Sequence, residues 1–437
     1  MGKLKVGFGR TDITPPDGLY IQGYYTERRG DGFLDRLTGS CIAFSDGEKT
    51  AVVFSLDLVG ISQGVADELR KVIAERNHLP MEAVYFACTH THTGPVVSRG
   101  GRYPNDEDYN SILFRSLADA AKEALADLTE AEVYAARSKV EGISFVRRFR
   151  MKNGKTQTNP GIGNPEIEGP IGTPDEQLQL VRIVRGDKDE IVLINFQVHP
   201  DVIGGCKYSA DYPGFVRRCF EGAVPGVKCV FFNGAQGDTN HINVNPPKGR
   251  VGRGYGHSRH MGLSIVGEAL KIYTYADKVE GDKVDYIQHD ITVPSNRGKP
   301  EQLPLAHKYL EAHKAGRKEE IPYDGMEYVT VVAEASRIVR LENGPDSFTL
   351  HLNAVRFGDI AFSGIPGEPF TDIGRGIKEG SPFYMTLVNC AANGYQAYFP
   401  MKSAFDEGGY EARSSSFCAG IAETLIDESI KMLKEIH

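Results

Sequence analysis

Val84-Tyr-Phe-Ala-Cys88-Thr89-His90-Thr91-His92-Thr93-Gly94-Pro95 is the stretch on which the fold turns. Val84 to Cys88 reads as a short buried strand, and the polar residues that follow break it abruptly. Gly94-Pro95 then ends the extended segment and opens space in front of the histidines. Residues two apart on an extended backbone point the same way, so His90 and His92 present their imidazoles together. Neutral imidazole is a common metal ligand, and a His-x-His pair at a strand exit suits the grip on a divalent ion.

Outward from this stretch, strands and helices alternate. Thr50 to Gly60 reads as a buried strand, and Val65 to Arg76 as a helix with apolar positions at Val65, Leu69, Val72 and Ile73. Asn110 to Leu128, Met261 to Tyr273 and Phe417 to Ile436 read as helices, and Glu190 to Val198 and Val227 to Phe232 as buried strands. This alternation predicts an α/β fold, a mixed and partly parallel sheet core flanked by helices. Lys283 to Val293, Tyr328 to Val332, Ser347 to Phe357 and Ile360 to Ser363 read instead as antiparallel strands, with Gly358-Asp359 as a turn. They make an antiparallel extension over roughly 280–360, around a charged helical stretch, Leu305 to Lys318. No linker or internal repeat divides residues 1–437, which read as a single catalytic domain. The stretch 304–318 fits a subunit contact in a homo-oligomer as well as a solvated face.

Five strand-like runs end in polar, glycine-bearing turns. They deliver His90 and His92; His199-Pro200-Asp201; Asn233 through Asp238, Asn240 and His241; Gly367-Glu368; and Asn393-Gly-Tyr395-Gln-Ala-Tyr398. Ligands in α/β sheets bind at the carboxyl ends of strands, where loops converge over a rigid scaffold. Two or three histidines and one glutamate from such loops match the ligand set of a hydrolytic zinc site with an open position. Each residue alone has a plainer reading: Glu368 as the cap of a helix beginning near Pro369, Tyr398 as a buried aromatic. Asp57 sits inside an apolar strand, where a carboxylate needs a partner or a metal-site role.

The bulk properties narrow the function classes. Acidic and basic residues are mixed along the chain with a net charge of −8, which argues against nucleic acid as a partner. No apolar run reaches the roughly 18 residues of an integral membrane segment. The first ten residues lack an apolar signal core, which points to a cytoplasmic protein. Seven cysteines without a Cys-x-x-Cys pair read as reduced thiols. A small molecule is the expected partner.

Taken together, these segments resemble the catalytic domain of the neutral/alkaline (non-lysosomal) ceramidase family. The resemblance rests on Gly7-Phe-Gly-Arg-Thr-Asp-Ile-Thr-Pro-Pro16, Thr89-His-Thr-His-Thr-Gly-Pro95 and Phe196-Gln-Val-His199. It continues through Gly237-Asp238, Pro366-Gly-Glu368 and Tyr395-x-x-Tyr398, in the same order from residue 7 to about 412. It implies one catalytic Zn2+ per chain held by His90, His199, Glu368 and Tyr398, with His92 beside the metal as a proton-handling group. It also implies Arg147 near the substrate and Tyr410 as a hydrogen-bond donor to an oxyanion. Family ceramidases carry a serine two residues after the Gly-Asp pair, where this chain has Asn240, and a C-terminal β-sandwich that this sequence does not contain. The chain looks more like the short bacterial relatives, and both departures point away from ceramide as substrate.

The expectation is therefore a zinc-dependent amidohydrolase cleaving an N-acyl bond, or an ester, of a small soluble substrate. Asn240 in place of a hydroxyl favours attack by a zinc-activated water over an acyl-enzyme, with His92 or Asp238 taking the proton. Asn240, Asp211, Tyr212, His241 and Tyr395 are the candidate substrate contacts. The glycine- and arginine-rich stretch Gly249 to His260 reads equally as a surface loop or a lid whose Arg250, Arg253 and Arg259 would favour an anionic or sugar-like ligand. Phosphoester hydrolysis on the same site and a non-catalytic binding protein that kept the fold are the alternatives. The first usually wants two metals, and the second leaves four ligand-type residues without a task.

Overall fold

In the computed structural model, which describes residues 3–247 and 252–437, three mixed sheets meet on a common core. The first runs in the order Val84–Cys88, Thr50–Leu56, Thr38–Ser45, Lys5–Asp12, Thr129–Glu130. The second runs Val227–Asn233, Glu190–Phe196, Gln177–Val184, Glu132–Lys139, Asp277–Val279. The third runs Val284–Pro294, Ser347–Phe357, Ile360–Gly364, Met385–Asn389.

Side-chain alternation along each strand explains the layering, because both faces of every sheet are apolar. Val53 and Tyr85 of the first sheet, Leu193 and Phe232 of the second, and Phe357, Phe362 and Leu387 of the third point into one shared cluster. Phe362 stands at its centre, with ring centroids 5.0 Å from Phe232, 5.7 Å from Tyr85 and 5.7 Å from Phe357. The neighbouring residues point outward under helices. Val52, Phe54 and Phe86 pack beneath the helices Gln63–Asn77 and Glu107–Ala126. Val192, Ile194 and Phe231 pack beneath Asp211–Ala223 and Tyr255–Tyr273, and Ala361 and Val388 beneath Thr371–Gly380 and Ile421–Ile436.

Each sheet carries one parallel pair at an edge, joined by a crossover helix. Thr50–Leu56 and Val84–Cys88 are linked through Gln63–Asn77, and Glu190–Phe196 and Val227–Asn233 through Asp211–Ala223. Ile360–Gly364 and Met385–Asn389 are linked through Thr371–Gly380. The carboxyl ends of these strands deliver Asp57, His90, His199, the 233–241 loop, Glu368 and the 393–398 loop. The predicted α/β class is the observed one.

One expectation is corrected. Tyr328 to Val332 is helical, part of Gly325–Leu341, and not a strand. Its valines suggested a strand, but the buried positions Val331, Ala335, Ile338 and Leu341 recur with helical spacing. They pack against the helix Leu303–Lys314, so tertiary contact overrides the β-branched preference. The two helices form an insertion between the paired strands Val284–Pro294 and Ser347–Phe357, and those strands complete the third sheet. Among the described residues no helix is long and apolar enough to cross a membrane.

Candidate metal centre and its surroundings

His90, His92 and His199 form a buried group whose ring nitrogens all lie within 4.8 Å of one another, an arrangement able to hold a metal ion. His92 Nε2 is 3.3 Å from His90 Nε2 and 3.1 Å from His199 Nε2. Glu368 Oε2 approaches from the other side, 3.4 Å from His90 Nε2 and 3.7 Å from His199 Nε2. Ligands about 2.0–2.1 Å from a tetrahedral zinc lie roughly 3.3–3.4 Å apart, so these donors have the spacing of groups that share an ion.

The hydrogen bonding around them supports the same reading. His90 Nδ1 lies 2.6 Å from the Val59 carbonyl, which takes the proton at Nδ1 and leaves the Nε2 lone pair facing the site. Glu368 Oε1 accepts from the Tyr395 hydroxyl, whereas Oε2 has no hydrogen-bond donor among the described residues. A buried carboxylate oxygen facing imidazole lone pairs calls for a cation. Burial opposes ionisation of Glu368, but His90, Arg147 and the Tyr395 hydroxyl outweigh it and hold its carboxyl at about 2. Burial first, and then neighbouring positive groups, push the His92 and His199 values well below the usual imidazole range, so both stay neutral and fit to ligate.

Local backbone geometry places these side chains. His90 has φ 70°, a left-handed conformation that turns its ring out of the strand line. Asp211, Ala391, Asn393 and Ala397 share positive φ in the loops around it. Gly23 also passes so close to His92 that a Cβ there would lie 2.7 Å from Nδ1. Glu368 and Tyr398 are register partners in a short parallel pairing, which sets the tyrosine beside the carboxylate.

Tyr398 and Tyr410 stand on the wall of a cavity of about 340 Å³ that also exposes His90, His92, Glu368 and Tyr395. Their rings meet edge to face at 5.5 Å, and the Tyr410 hydroxyl lies 3.3 Å from that of Tyr25. Burial pushes both hydroxyls well up, Arg147 opposing it at Tyr398, so they remain donors. Arg147 lies behind Tyr398, 5.2 Å from its ring centroid. It pairs with Glu411 at 2.7 Å and donates to the Gly237 carbonyl at 2.6 Å.

Other candidates serve the scaffold around the site. Asp238 accepts from the Thr371 backbone N–H at 2.8 Å and from its hydroxyl at 2.6 Å, so this aspartate, not Glu368, caps the helix there. The Asn240 amide donates to Asn159 at 2.6 Å and its oxygen accepts from the Ile242 backbone at 2.9 Å. Asp211 accepts from the backbones of Val202 and Ile203 and from Ser258, and the Tyr212 hydroxyl donates to the Val198 carbonyl. Fully buried, both brace the His199 loop from behind. Asp57 finds its partner in Arg217.

His241 lies away from the cluster, on a separate cavity with His257 and His260. Of the arginine-rich stretch, residues 249–251 lie outside the described residues, and Tyr255 to His260 begin the helix Tyr255–Tyr273. Burial, with His257 and Arg253 nearby, lowers the His241 value from 6.5 to about 3. The unfolded chain therefore takes up this proton first as pH falls. The stability it contributes is whole above 6.5 and drains away toward 3. Thermal midpoints measured from about pH 7 to 4 should fall less steeply in His241→Leu than in the parent chain. An unchanged slope would show that His241 is already solvated.

Sequence reasoning did not single out Asp201, Tyr24, Glu411 or Tyr25. Asp201 accepts from Tyr24 and lies 3.8 Å from His92 Nδ1, beyond hydrogen-bond reach but close enough to act on the ring by its charge. Burial, partly offset by Tyr24, raises its carboxyl to about 6. Its place in His199-Pro200-Asp201, two residues beyond a candidate ligand, was the one available signal.

No sequence-family model matches the chain, and no curated protein sequence does either. Solved structures do. A crystal structure of neutral ceramidase from Pseudomonas aeruginosa superposes with a TM-score of 0.76 at 18% identity, covering 99% of this chain and 74% of that one. A ceramidase complexed with C2 superposes with a TM-score of 0.75 at 17% identity, covering 99% and 75%. Matched along almost its whole length, the chain has a neutral ceramidase-like fold.

Proposed function

We propose that this chain is a zinc-dependent hydrolase that cleaves the amide bond of a small N-acyl substrate. The observation that carries the reading is the convergence of His90, His199 and Glu368 donors at ligand spacing, with Glu368 Oε2 left without a hydrogen-bond donor among the described residues. The likeness in fold to ceramidases, which are amide hydrolases, supports the reaction class. His90, His199 and Glu368 would hold the ion, with Tyr398 beside them as the fourth donor. Zinc bound there would lower the pKa of a water and polarise the substrate carbonyl.

The chain's own groups supply the rest. His92, whose Nε2 lies 3.3 and 3.1 Å from those of His90 and His199, is assigned to take and return the proton, with Tyr398 in its place as the fourth ligand. Asp238 is committed to capping the helix at Thr371, which favours His92 in this role. The Tyr410 hydroxyl donates to the carbonyl oxygen as negative charge builds on it, and the buried Arg147 charge behind Tyr398 favours the same change. Asn240 offers no nucleophile, so water is the attacking species.

A panel of matched chromogenic amides, esters and phosphomonoesters tests this. Zinc-loaded protein should cleave the amides, lose the activity to a chelator and regain it with zinc. Turnover confined to phosphoesters, or indifferent to chelation, would overturn the proposal.

A further inference from the structure

The geometry points to a substrate that carries an anionic group at the end remote from the scissile bond, read by Arg102 and Arg340. The inference rests on the cavity's being the substrate site. Both arginines line it together with Tyr25 and Tyr410. The Arg102 guanidinium lies 4.4 Å from the Tyr25 ring centroid and donates to the Tyr25 carbonyl at 3.2 Å. Arg340 donates to the Ser416 hydroxyl at 2.6 Å. Tyr25 in turn reaches Tyr410, and Tyr410 packs on Tyr398, so a short run of aromatic residues joins the arginines to the metal donors.

Neither arginine has a carboxylate within 4.0 Å among the described residues. Their neighbours do: Arg413 pairs with Glu327 at 2.8 Å and Glu334 at 2.6 Å, Arg148 with Glu407 at 3.0 Å, and Arg147 with Glu411 at 2.7 Å. Both side chains are exposed, so their guanidinium groups are open to a ligand entering the cavity. Each has five N–H donors, uses few of them here, and stays charged at any working pH. Ser336, Ser414 and Ser416 line the same cavity and offer hydroxyls beside the two guanidinium groups. That chemistry suits an oxyanion (carboxylate, sulfate or phosphate), which guanidinium groups bind through paired hydrogen bonds.

The helical insertion supplies half of this reader. Ala333, Ser336, Arg337 and Arg340 lie on one face of Gly325–Leu341, spaced by three and four residues, and all four line the cavity. The insertion thus acts as a specificity element beside the metal donors.

Titration calorimetry with simple probes tests the inference without requiring turnover. The probes are straight-chain dicarboxylates from malonate to suberate, the monocarboxylates of equal length, and phosphonate-ended acids of the same lengths. At least one dianionic probe should bind about tenfold more tightly than its monocarboxylate. That ratio should fall toward one in Arg340→Gln and in Arg102→Gln, and partly recover in Arg340→Lys. Because a ratio is read, general loss of binding does not imitate the result. The preference should persist in metal-stripped protein if the arginines carry it, so failed zinc uptake and failed anion reading are separate outcomes. Carboxylate against phosphonate ranking tells the two oxyanion sources apart. A ratio near one for every length, or a ratio unmoved in both glutamine variants, would overturn the inference.

Discussion

Prepared at neutral pH without added metal, the parent chain should carry about one zinc ion, and Glu368→Gln and His199→Ala less than about a tenth of that. Each substitution removes a donor from the group in which His90 and His199 nitrogens lie 3.4 and 3.7 Å from Glu368 Oε2. Changing even a residue that only supports a ligand costs about 10–100-fold in affinity, so losing a ligand costs at least as much. Glutamine is close to isosteric with glutamate but removes the charge that sits opposite the imidazoles, so the fold should stand while the ion is lost. His92→Gln separates the roles. If His92 handles the proton, elemental analysis finds zinc retained while kcat falls by about 10²–10⁴. Zinc lost from His92→Gln but kept in Tyr398→Phe would reassign His92 as a ligand in place of the tyrosine.

Arg217→Leu should be the most destabilising single change outside the site, by about 3–5 kcal/mol in urea unfolding. Arg217 Nη1 donates to Asp57 Oδ1 at 2.9 Å, and both side chains are almost completely buried. Removing the arginine leaves a carboxylate with no countercharge in an apolar setting. The remaining donors are the Thr38 backbone at 2.8 Å and two threonine hydroxyls, Thr38 at 3.1 Å and Thr89 at 3.3 Å. Pairing it with Asp57→Leu should recover part of the loss, because two apolar residues replace a broken ion pair. Thr89 precedes His90, so the single variant should also bind zinc more weakly. Equal stability of Arg217→Leu and the parent would mean that water already reaches the pair.

Much of this was legible in the chain itself. Val84 to Cys88 and Glu190 to Val198 are apolar without alternation, which marks strands buried on both faces and hence a sheet with cover on each side. The helices of 63–77, 107–126 and 421–436 announce themselves by their apolar spacing, since one face of each must lie on a sheet. The His-x-His pair, His199 and Glu368 stood out because each follows a strand-like run, where loops face a binding site, whereas Tyr398 entered as a ligand only through the family resemblance. The valines of 328–332 misled, because their strand preference is weaker than the packing of two helices against each other.

The sequence by itself determined which segments are strands buried on both faces, which residues sit at their carboxyl ends, and the donor chemistry those residues offer. Only the tertiary structure decided that three sheets close on one core around Phe362, bringing their parallel edges together. Only it decided that Asp238 caps a helix, that Asp57 pairs with Arg217, and that Arg102 and Arg340 share a cavity wall. The reason is physical. Alternation along a strand reports that a face is apolar, but not which other face it meets. Residues 57 and 217, or 102 and 340, become neighbours only once those faces have packed.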